Sequence, residues 1–268
     1  MMLVDSHCHL DAQEFVDTAL DVAVNAAAQG VQWIVIPAVE RANFNTVRSL
    51  AHQVAGGVYA LGIHPMYVAS ASEEDLVVLR EQAEVAMTDP RFIAIGEIGL
   101  DFFIPELREG ALRDKQEFFY IEQLKIARDA GLPVILHVRR SQDTLLKYLR
   151  RIRVSGGLAH AFNGSEQQAQ AFIDRGFALG FGGAMTFARA LQIRRLAASL
   201  PSTALALETD APDISPSWLH PAPNSPEQLP AIAAVLAELR GRPVAEIARQ
   251  TTDNVARVLP RLGSLMMA

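Results

Sequence analysis

The sequence is poor in cysteine and in long apolar runs, and positive charge does not predominate. Its single cysteine, Cys8, excludes any disulfide within the chain. No apolar stretch reaches the roughly 18 residues that a membrane span requires, and no cleavable signal peptide precedes Leu3. The net charge of −6 argues against a protein that grips long duplexes, although it leaves a local phosphate site open. These absences predict a cytoplasmic protein without membrane contact.

Short apolar runs alternate with longer stretches of helical periodicity. The predicted strands are Leu3–Ser6, Trp33–Ala38, Val58–Ile63, Phe92–Ile95, Pro133–His137, Gly157–Ala161, Ala178–Phe181 and Ala204–Leu207. The predicted helices are Phe15–Gln29, Asn43–Ala55, Glu73–Thr88, Leu112–Ala130, Gln142–Arg153, Glu166–Arg175, Ala188–Ser199, Ser225–Leu239 and Val244–Leu259. This alternation is typical of a parallel α/β barrel, with an open doubly wound sheet as the competing architecture. Because no repeat or long linker divides the chain, we predict one domain over residues 1–268.

Side chains that can bind metals occur at the ends of the predicted strands. His7 and His9 stand one residue apart at the end of the first strand, and side chains in a strand alternate faces. We therefore expect both imidazoles to point the same way. Other strands end in His64, Glu97, His137, His160 and Asp210. Active sites of α/β barrels lie at the carboxyl ends of the strands, so these residues are predicted to share one rim.

Two divalent cations explain this set of residues better than one. The predicted metal ligands are His7, His9, Glu97, His137, His160 and Asp210. Four imidazoles and two carboxylates are too many for one four-coordinate ion with an open position. They suit two ions roughly 3.5–4 Å apart that share a bridging ligand and activate a water.

Glu97 is predicted to be the bridging ligand, because its strand lies between those that carry the two histidine pairs. A carboxylated lysine is excluded, since none of the three lysines ends a strand. Asp210 is predicted to complete the first metal's ligands and to accept a proton from the bridging water.

His64 and Arg139 are predicted to contact the substrate. His64 precedes Pro65, which fixes the backbone there, and its position suits a group that orients a leaving oxygen. The alternative is a histidine that only hydrogen-bonds a loop. Arg139 follows His137 by two residues, and a planar guanidinium fits two phosphate oxygens. The alternative is an ordinary surface arginine.

Five further residues are predicted to act outside the chemistry. Asp101 is expected to hold a ligand histidine or a loop glycine by a hydrogen bond, and Glu208 is expected to play a similar supporting part. His52, in a helix, and His220, in a proline-rich loop, are predicted to be non-catalytic. Cys8 is expected to point away from the metal and to pack behind the first strand.

Six motifs, taken in order, resemble the TatD family of metal-dependent hydrolases. They are Asp5-Ser6-His7-Cys8-His9, Gly62-Ile63-His64-Pro65, Gly96-Glu97-Ile98-Gly99-Leu100-Asp101, Leu136-His137-Val138-Arg139, His160-Ala161-Phe162-Asn163-Gly164 and Glu208-Thr209-Asp210-Ala211-Pro212. Each motif alone is modest, but their common order is highly specific. The resemblance implies a distorted TIM barrel of the amidohydrolase type with two metals. It also implies deoxyribonuclease activity, in several members a 3′→5′ exonuclease that prefers single strands with magnesium.

The resemblance also assigns ligands. The first metal would be held by His7, His9, Glu97 and Asp210, and the second by Glu97, His137 and His160, with His64 and Arg139 toward the substrate phosphate. The chain departs from the family in the His160 motif, where much of the family has a cysteine after the histidine and a serine before the glycine. The basic segment that often follows Pro212 is also missing, and Trp218-Leu219-His220-Pro221-Ala222-Pro223-Asn224 stands there instead.

We therefore predict a metal-dependent hydrolase that cleaves DNA, with single-stranded or frayed DNA as substrate and no obligate protein partner. Its cofactors would be two divalent ions (Mg²⁺, Mn²⁺ or Zn²⁺), and its catalytic residues would be Asp210, His64 and Glu97. One alternative is a binuclear hydrolase of a small amide, ester or lactone, since carbon and phosphorus centres demand similar ligands. The other is a barrel that binds metal or nucleic acid without catalysis. The presence of a suitable residue at every candidate ligand position argues against this alternative.

Overall fold

The computed structural model describes residues 1–268 and contains one eight-stranded parallel sheet. Its strands are β1 (Leu3–Asp5), β2 (Val31–Pro37), β3 (Gly57–Leu61), β4 (Phe92–Asp101), β5 (Val134–Arg139), β6 (Gly157–Ala159), β7 (Phe177–Phe181) and β8 (Leu205–Leu207). Each strand pairs with the next in chain order. The sheet returns to its start where the Ser6 amide donates to the Leu207 carbonyl, at 3.1 Å. The molecule is a nearly closed barrel of the TIM type, as predicted, and not an open sheet.

Helices surround the strands. They are α1 (Ala19–Ala28), α2 (Phe44–Gln53), α3 (Glu73–Ala86), α4 (Pro105–Arg108), α5 (Gly110–Ala130), α6 (Gln142–Leu149), α7 (Glu166–Ile173), α8 (Leu191–Ser199), α9 (Leu229–Arg240), α10 (Val244–Val258) and α11 (Pro260–Met267). The short α4 and the terminal α11 were not predicted. Proline suits the first position of a helix, and Pro260 begins α11 one residue after α10 ends. None of these helices is long and apolar enough to cross a membrane.

Two buried apolar clusters surround and fill the barrel. The larger lies between the strands and the surrounding helices, and it includes Cys8, which packs behind the first strand as predicted. Burial raises the pKa of the Cys8 thiol well above its usual range. The smaller cluster fills the barrel interior and includes Val255, Val258 and Leu262 from α10 and α11. The Asn254 amide group donates to the Leu205 carbonyl at the start of β8. These helices therefore close the amino end of the barrel.

The strand β4 is longer than predicted and carries an irregularity. Between Ile95 and Ile98, the pairing advances three residues on β4 but two on β5. Such an extra residue, a β-bulge, bends a strand and redirects its side chains. A Cβ on Gly96 would lie only 2.6 Å from the Ile135 Cβ, so this position requires glycine. Glu97 therefore lies at a bulge inside β4, and the prediction that it ends the strand was wrong.

A buried carboxylate stabilises the segment before β4. Asp89 is only 7% exposed and accepts hydrogen bonds from the Tyr59 hydroxyl at 2.9 Å and from the Arg91 amide at 3.0 Å. The Nε2 atom of His52 lies 2.8 Å from the same carboxylate. Burial alone would raise the pKa of Asp89, but these contacts outweigh it and hold that pKa below its usual range. His52 therefore has a structural contact outside the predicted rim.

Replacing Asp89 by asparagine is expected to lower the free energy of unfolding by about 1–3 kcal/mol at pH 7, because buried donors lose a charged acceptor. A carboxyl group with a depressed folded-state pKa contributes stability above its unfolded pKa of about 4 and loses it as the pH falls through the folded value. The difference between wild type and D89N should therefore shrink below about pH 4. Urea denaturation across this range measures it, with the exposed Asp17→Asn as control. A difference that stayed constant with pH would contradict the ionised role of Asp89.

Candidate metal centre

Glu97 stands at the middle of the predicted rim and divides the surrounding donors into two sets. It is 1% exposed. Its Oε2 atom lies 3.0 Å from His7 Nε2 and 3.4 Å from His9 Nε2. Its Oε1 atom lies 2.9 Å from His137 Nδ1 and 3.1 Å from His160 Nε2. Each carboxylate oxygen therefore faces one pair of histidines.

The first donor set has the spacing of a coordination shell. The Nε2 atoms of His7 and His9 are 3.2 Å apart. The Oδ1 atom of Asp210 lies 3.6 Å from the first of these nitrogens and 3.7 Å from the second. Neighbouring ligands of a tetrahedral cation with bonds of about 2.1 Å are about 3.4 Å apart. These donors, with Glu97 Oε2, therefore fit one divalent cation. The two imidazoles converge as expected, although β1 ends before them, at Asp5.

The second donor set consists of Glu97 Oε1 and two imidazole nitrogens. His137 Nδ1 and His160 Nε2 are 3.4 Å apart. On the other side of its ring, His137 Nε2 lies 3.0 Å from Asp101 Oδ2, so Asp101 accepts the predicted hydrogen bond from a histidine of the centre. Burial by itself would lower the pKa of His137, but the hydrogen bonds with Asp101 and Glu97 have the larger effect. The pKa of His137 is therefore raised above its usual value. Three donors leave a position open, as in catalytic metal sites.

His64 borders the second set, and its hydrogen bonds define its tautomer. Its Nδ1 atom accepts a hydrogen bond from the Met66 amide at 3.2 Å. The neutral ring therefore carries its proton on Nε2, which lies 3.4 Å from Glu97 Oε1. Burial lowers the pKa of His64 to about 4, which keeps the ring neutral. The centre thus receives an N–H donor from His64 and not a lone pair.

The ionised carboxylate at the middle of the cluster attracts cations, and a bound cation would displace the protons that Glu97 favours on His9 and His160, whose pKa values are raised to about 9 and to well above the usual range, respectively. Burial would raise the pKa of Glu97, but the charge of the His160 ring and the hydrogen bond from His137 hold it well below its usual range, so the carboxylate stays ionised. Burial and the stacked His160 ring, with centroids 3.9 Å apart, hold the pKa of His7 well below its usual range. A neutral imidazole keeps the lone pair that a metal requires.

Asp210 reaches the centre from a turn after β8. Its backbone lies in the left-handed region, with a φ of 58°, which aspartate tolerates better than most residues. Its amide donates to the His7 carbonyl at 2.8 Å. Burial raises the pKa of Asp210 to about 6, against the opposing effect of His160. A carboxylate with this pKa can accept a proton near neutral pH.

Glu208 supports the centre by a hydrogen bond to the backbone beside His160, in line with the supporting part predicted for it. It is 1% exposed, and its Oε1 atom accepts a hydrogen bond from the Ala161 amide at 2.6 Å. The same oxygen lies 3.8 Å from His160 Nδ1. A Cβ on Gly180 would collide with the Glu208 carboxylate, so glycine on β7 makes room for this side chain. Glu208 therefore fixes the turn that carries His160.

Asp5 supports the first donor set, a role that was not predicted from the sequence. Its carboxylate accepts hydrogen bonds from the Thr209 hydroxyl at 2.6 Å and from the Thr209 amide at 2.9 Å. Burial raises the pKa of Asp5 to about 7 although these bonds oppose the shift. The contact holds the residue before Asp210 against β1. A charged residue inside an apolar strand was the available signal for this role.

Two buried glutamines of α5 hold backbone at the rim and were also missed. Gln123 accepts a hydrogen bond from the Ile63 amide at 2.7 Å and donates to the Ile63 carbonyl at 3.0 Å. Gln116 accepts from the Asp101 amide at 3.0 Å. Residues seven apart lie on one face of a helix. Two polar residues on the buried face of a helix were the signal, and they position the backbone beside His64 and Asp101.

Arg139 lies at the mouth of the centre, outside the donor cluster. Its side chain is 47% exposed, and its Nη1 atom lies 3.8 Å from Asp101 Oδ2. Its guanidinium carbon lies 4.0 Å from the centre of the Phe103 ring. His220 lies in an exposed loop against Phe187, with ring centroids 5.8 Å apart. Neither His220 nor His52 is among the converging donors.

The chain is similar to known proteins over almost its whole length. The family model described as TatD related DNase matches residues 4–260. The metal-dependent hydrolase YjjV of Escherichia coli is 39% identical over 94% of this chain and 95% of YjjV. The human deoxyribonuclease TATDN3 is 30% identical over 98% of this chain and 97% of its own. The crystal structure of YjjV superposes with a TM-score of 0.91 at 38% identity, covering 96% of this chain and 98% of YjjV.

Proposed function

Because the chain belongs to the TatD family of metal-dependent hydrolases, we propose that it is a deoxyribonuclease. In this proposal it removes nucleotides from the 3′ end of single-stranded or frayed DNA, and residues 1–268 form one domain. The observation that carries the choice of a phosphodiester is the position of Arg139. Its guanidinium lies 3.8 Å from Asp101 Oδ2, which is itself bonded to His137. A phosphate held there would lie beside the second donor set.

The residues present would hold two divalent cations. His7, His9, Glu97 and Asp210 would bind one, and Glu97, His137 and His160 would bind the other. Mg²⁺, Mn²⁺ and Zn²⁺ are all compatible with this mixture of imidazole and carboxylate. When bound, the two cations would lower the pKa of an attacking water and neutralise charge on the phosphoryl oxygens.

The chain's own residues would handle the proton and the phosphate. Asp210, whose pKa is raised to about 6, accepts the proton from the attacking water. His64 is neutral and directs its Nε2 proton into the centre, where it hydrogen-bonds the leaving oxygen. Arg139 presents two N–H groups to two phosphate oxygens. Glu97, ionised and buried, separates the two donor sets and fixes their spacing.

The proposal of DNA as substrate has support from one relative, the human protein named deoxyribonuclease TATDN3. We also propose a cytoplasmic location and no obligate protein partner. The buried, unpaired Cys8 is compatible with a reducing compartment, in which thiols stay free.

The test is degradation of a 3′-labelled single-stranded DNA oligonucleotide by metal-stripped protein to which Mg²⁺, Mn²⁺ or Zn²⁺ is restored separately. We expect metal-dependent loss of the label, with slower loss from a blunt duplex of the same sequence. RNA of that sequence and a panel of small esters, amides and lactones are run in parallel. Intact DNA under every metal, with hydrolysis of an acyl substrate, would replace the nuclease by a small-molecule hydrolase.

A further inference from the structure

Two consecutive arginines at the mouth of the centre lie against one exposed aromatic ring. The guanidinium carbon of Arg139 lies 4.0 Å from the centre of the Phe103 ring, and that of Arg140 lies 4.8 Å from it. Phe103 is 46% exposed. Consecutive residues of a strand point to opposite faces, so β5 by itself would separate the two arginines. Another feature of the backbone therefore brings them together.

That feature is a left-handed residue directly after β5. Arg140 has a φ of 56°, a conformation that residues with a Cβ disfavour. The Phe103 amide donates to Asp101 Oδ1 at 2.7 Å, which fixes the aromatic residue beside the centre. Strained residues of this kind persist where the surrounding structure holds them, and they concentrate at functional sites.

The charges of the two arginines are poorly neutralised by the chain. The only carboxylate within ion-pairing distance of Arg139 is Asp101, at 3.8 Å, and its oxygens already bind His137 and the amides of Phe103 and Ile104. Arg140 forms no ion pair. Two adjacent cations with a single distant carboxylate to neutralise them repel each other, and a bound polyanion would relieve that repulsion.

We propose that Arg140 binds a second phosphate of the substrate, next to the phosphate that Arg139 holds. The inference rests on the proposed function and deepens it, because it makes the substrate a polynucleotide strand and not a mononucleotide or an isolated diester. Arg140 is then a specificity-determining residue that acts on strand binding, while Asp210 and His64 act on the scissile phosphate. Phe103 is the surface against which both guanidinium groups are held.

The test compares the metal-loaded wild type with R140G on two substrates, a single-stranded oligonucleotide and bis(p-nitrophenyl) phosphate, which has one phosphodiester. For the oligonucleotide, kcat/KM is expected to fall about fivefold, mainly through KM, as for loss of an exposed charge contact. The slope of log kcat/KM against log salt should become shallower by about 0.7. The small diester should be hydrolysed at the wild-type rate. Glycine accepts a positive φ, so the Tm should be unchanged or higher.

Control variants separate this role from a general effect of charge. R249Q removes one exposed positive charge from α10 at the opposite end of the barrel and should leave both substrates unaffected. R140Q should reproduce the effect of R140G on the oligonucleotide. Equal losses on both substrates, a wild-type salt slope, or a lower Tm with parallel loss of both activities would overturn the proposal.

Binding provides a readout that does not depend on turnover. Anisotropy of a labelled single-stranded oligonucleotide, titrated with metal-loaded wild type or R140G, measures affinity at several salt concentrations. Weaker binding with a shallower salt slope in R140G supports the second phosphate contact, even if neither substrate is cleaved and the proposed nuclease activity fails. Equal affinity for the two proteins would overturn the role of Arg140.

Discussion

Replacing Asp210 by asparagine is expected to lower kcat by about a thousandfold while the protein stays folded. Asparagine has the same size, keeps one oxygen beside His7 and His9, and also tolerates the left-handed backbone at this position. It cannot accept a proton, however, and Asp210 is the carboxylate whose pKa burial raises to about 6. Steady-state kinetics on the single-stranded oligonucleotide and on bis(p-nitrophenyl) phosphate measure the loss.

The matched control is Asp213→Asn, an exposed aspartate in the same loop. It should have wild-type kcat on both substrates and a wild-type unfolding curve. Circular dichroism and urea denaturation of D210N establish that its fold is retained. Turnover by D210N within tenfold of the wild type would show that another group accepts the proton, and the role assigned to Asp210 would be wrong.

Replacing Glu97 by glutamine is expected to abolish the binding of at least one cation and to remove turnover almost completely. The two carboxylate oxygens face different histidine pairs, at 3.0 Å from His7 Nε2 and 2.9 Å from His137 Nδ1. An amide offers one neutral oxygen and one N–H group, so it cannot serve both sides. Elemental analysis after dialysis against a fixed concentration of free metal should give about two ions per wild-type chain and at most one per E97Q chain.

Glu74→Gln, on the exposed surface of α3, is the control for loss of one negative charge and should bind metal as the wild type does. The free energy of unfolding of metal-stripped E97Q shows whether the substitution disturbs the fold. If E97Q retained two ions at wild-type affinity, Glu97 would not be the bridging ligand. The proposal that it is shared by two cations would then be wrong.

The candidate site could be predicted from the sequence because its donors follow predicted strands in a barrel. In a parallel barrel the carboxyl ends of all strands lie on one rim. Recognising the apolar runs and the residues that follow them was therefore sufficient to predict which side chains would lie together. The six predicted ligands do lie together, with Glu97 between the histidine pairs. The bulge in β4 was not predicted, because register depends on the packing of Gly96 against the neighbouring strand and not on local sequence.

Long-range hydrogen bonds account for most of what the sequence could not reveal. Asp5 binds Thr209, and Gln123 binds the backbone of Ile63, and neither contact has a local pattern. The contact of Arg140 with Phe103 depends on a single backbone angle after β5. Secondary structure is a local property and was predicted better than these contacts, which form only when distant segments meet.

The contact between β1 and the segment after β8 joins residues that are synthesised far apart in time, and this affects when activity can arise during translation. Asp5 and Thr209 are 204 residues apart, and the first donor set joins His7 and His9 to Asp210. A growing chain can form its earlier strands while it is still attached to the ribosome, but its first donor set is incomplete until residue 210 has emerged. A chain that ends between residues 161 and 209 carries five of the six predicted ligands and lacks Asp210, the proposed proton acceptor. Chains that end before residue 210 are therefore expected to lack hydrolytic activity.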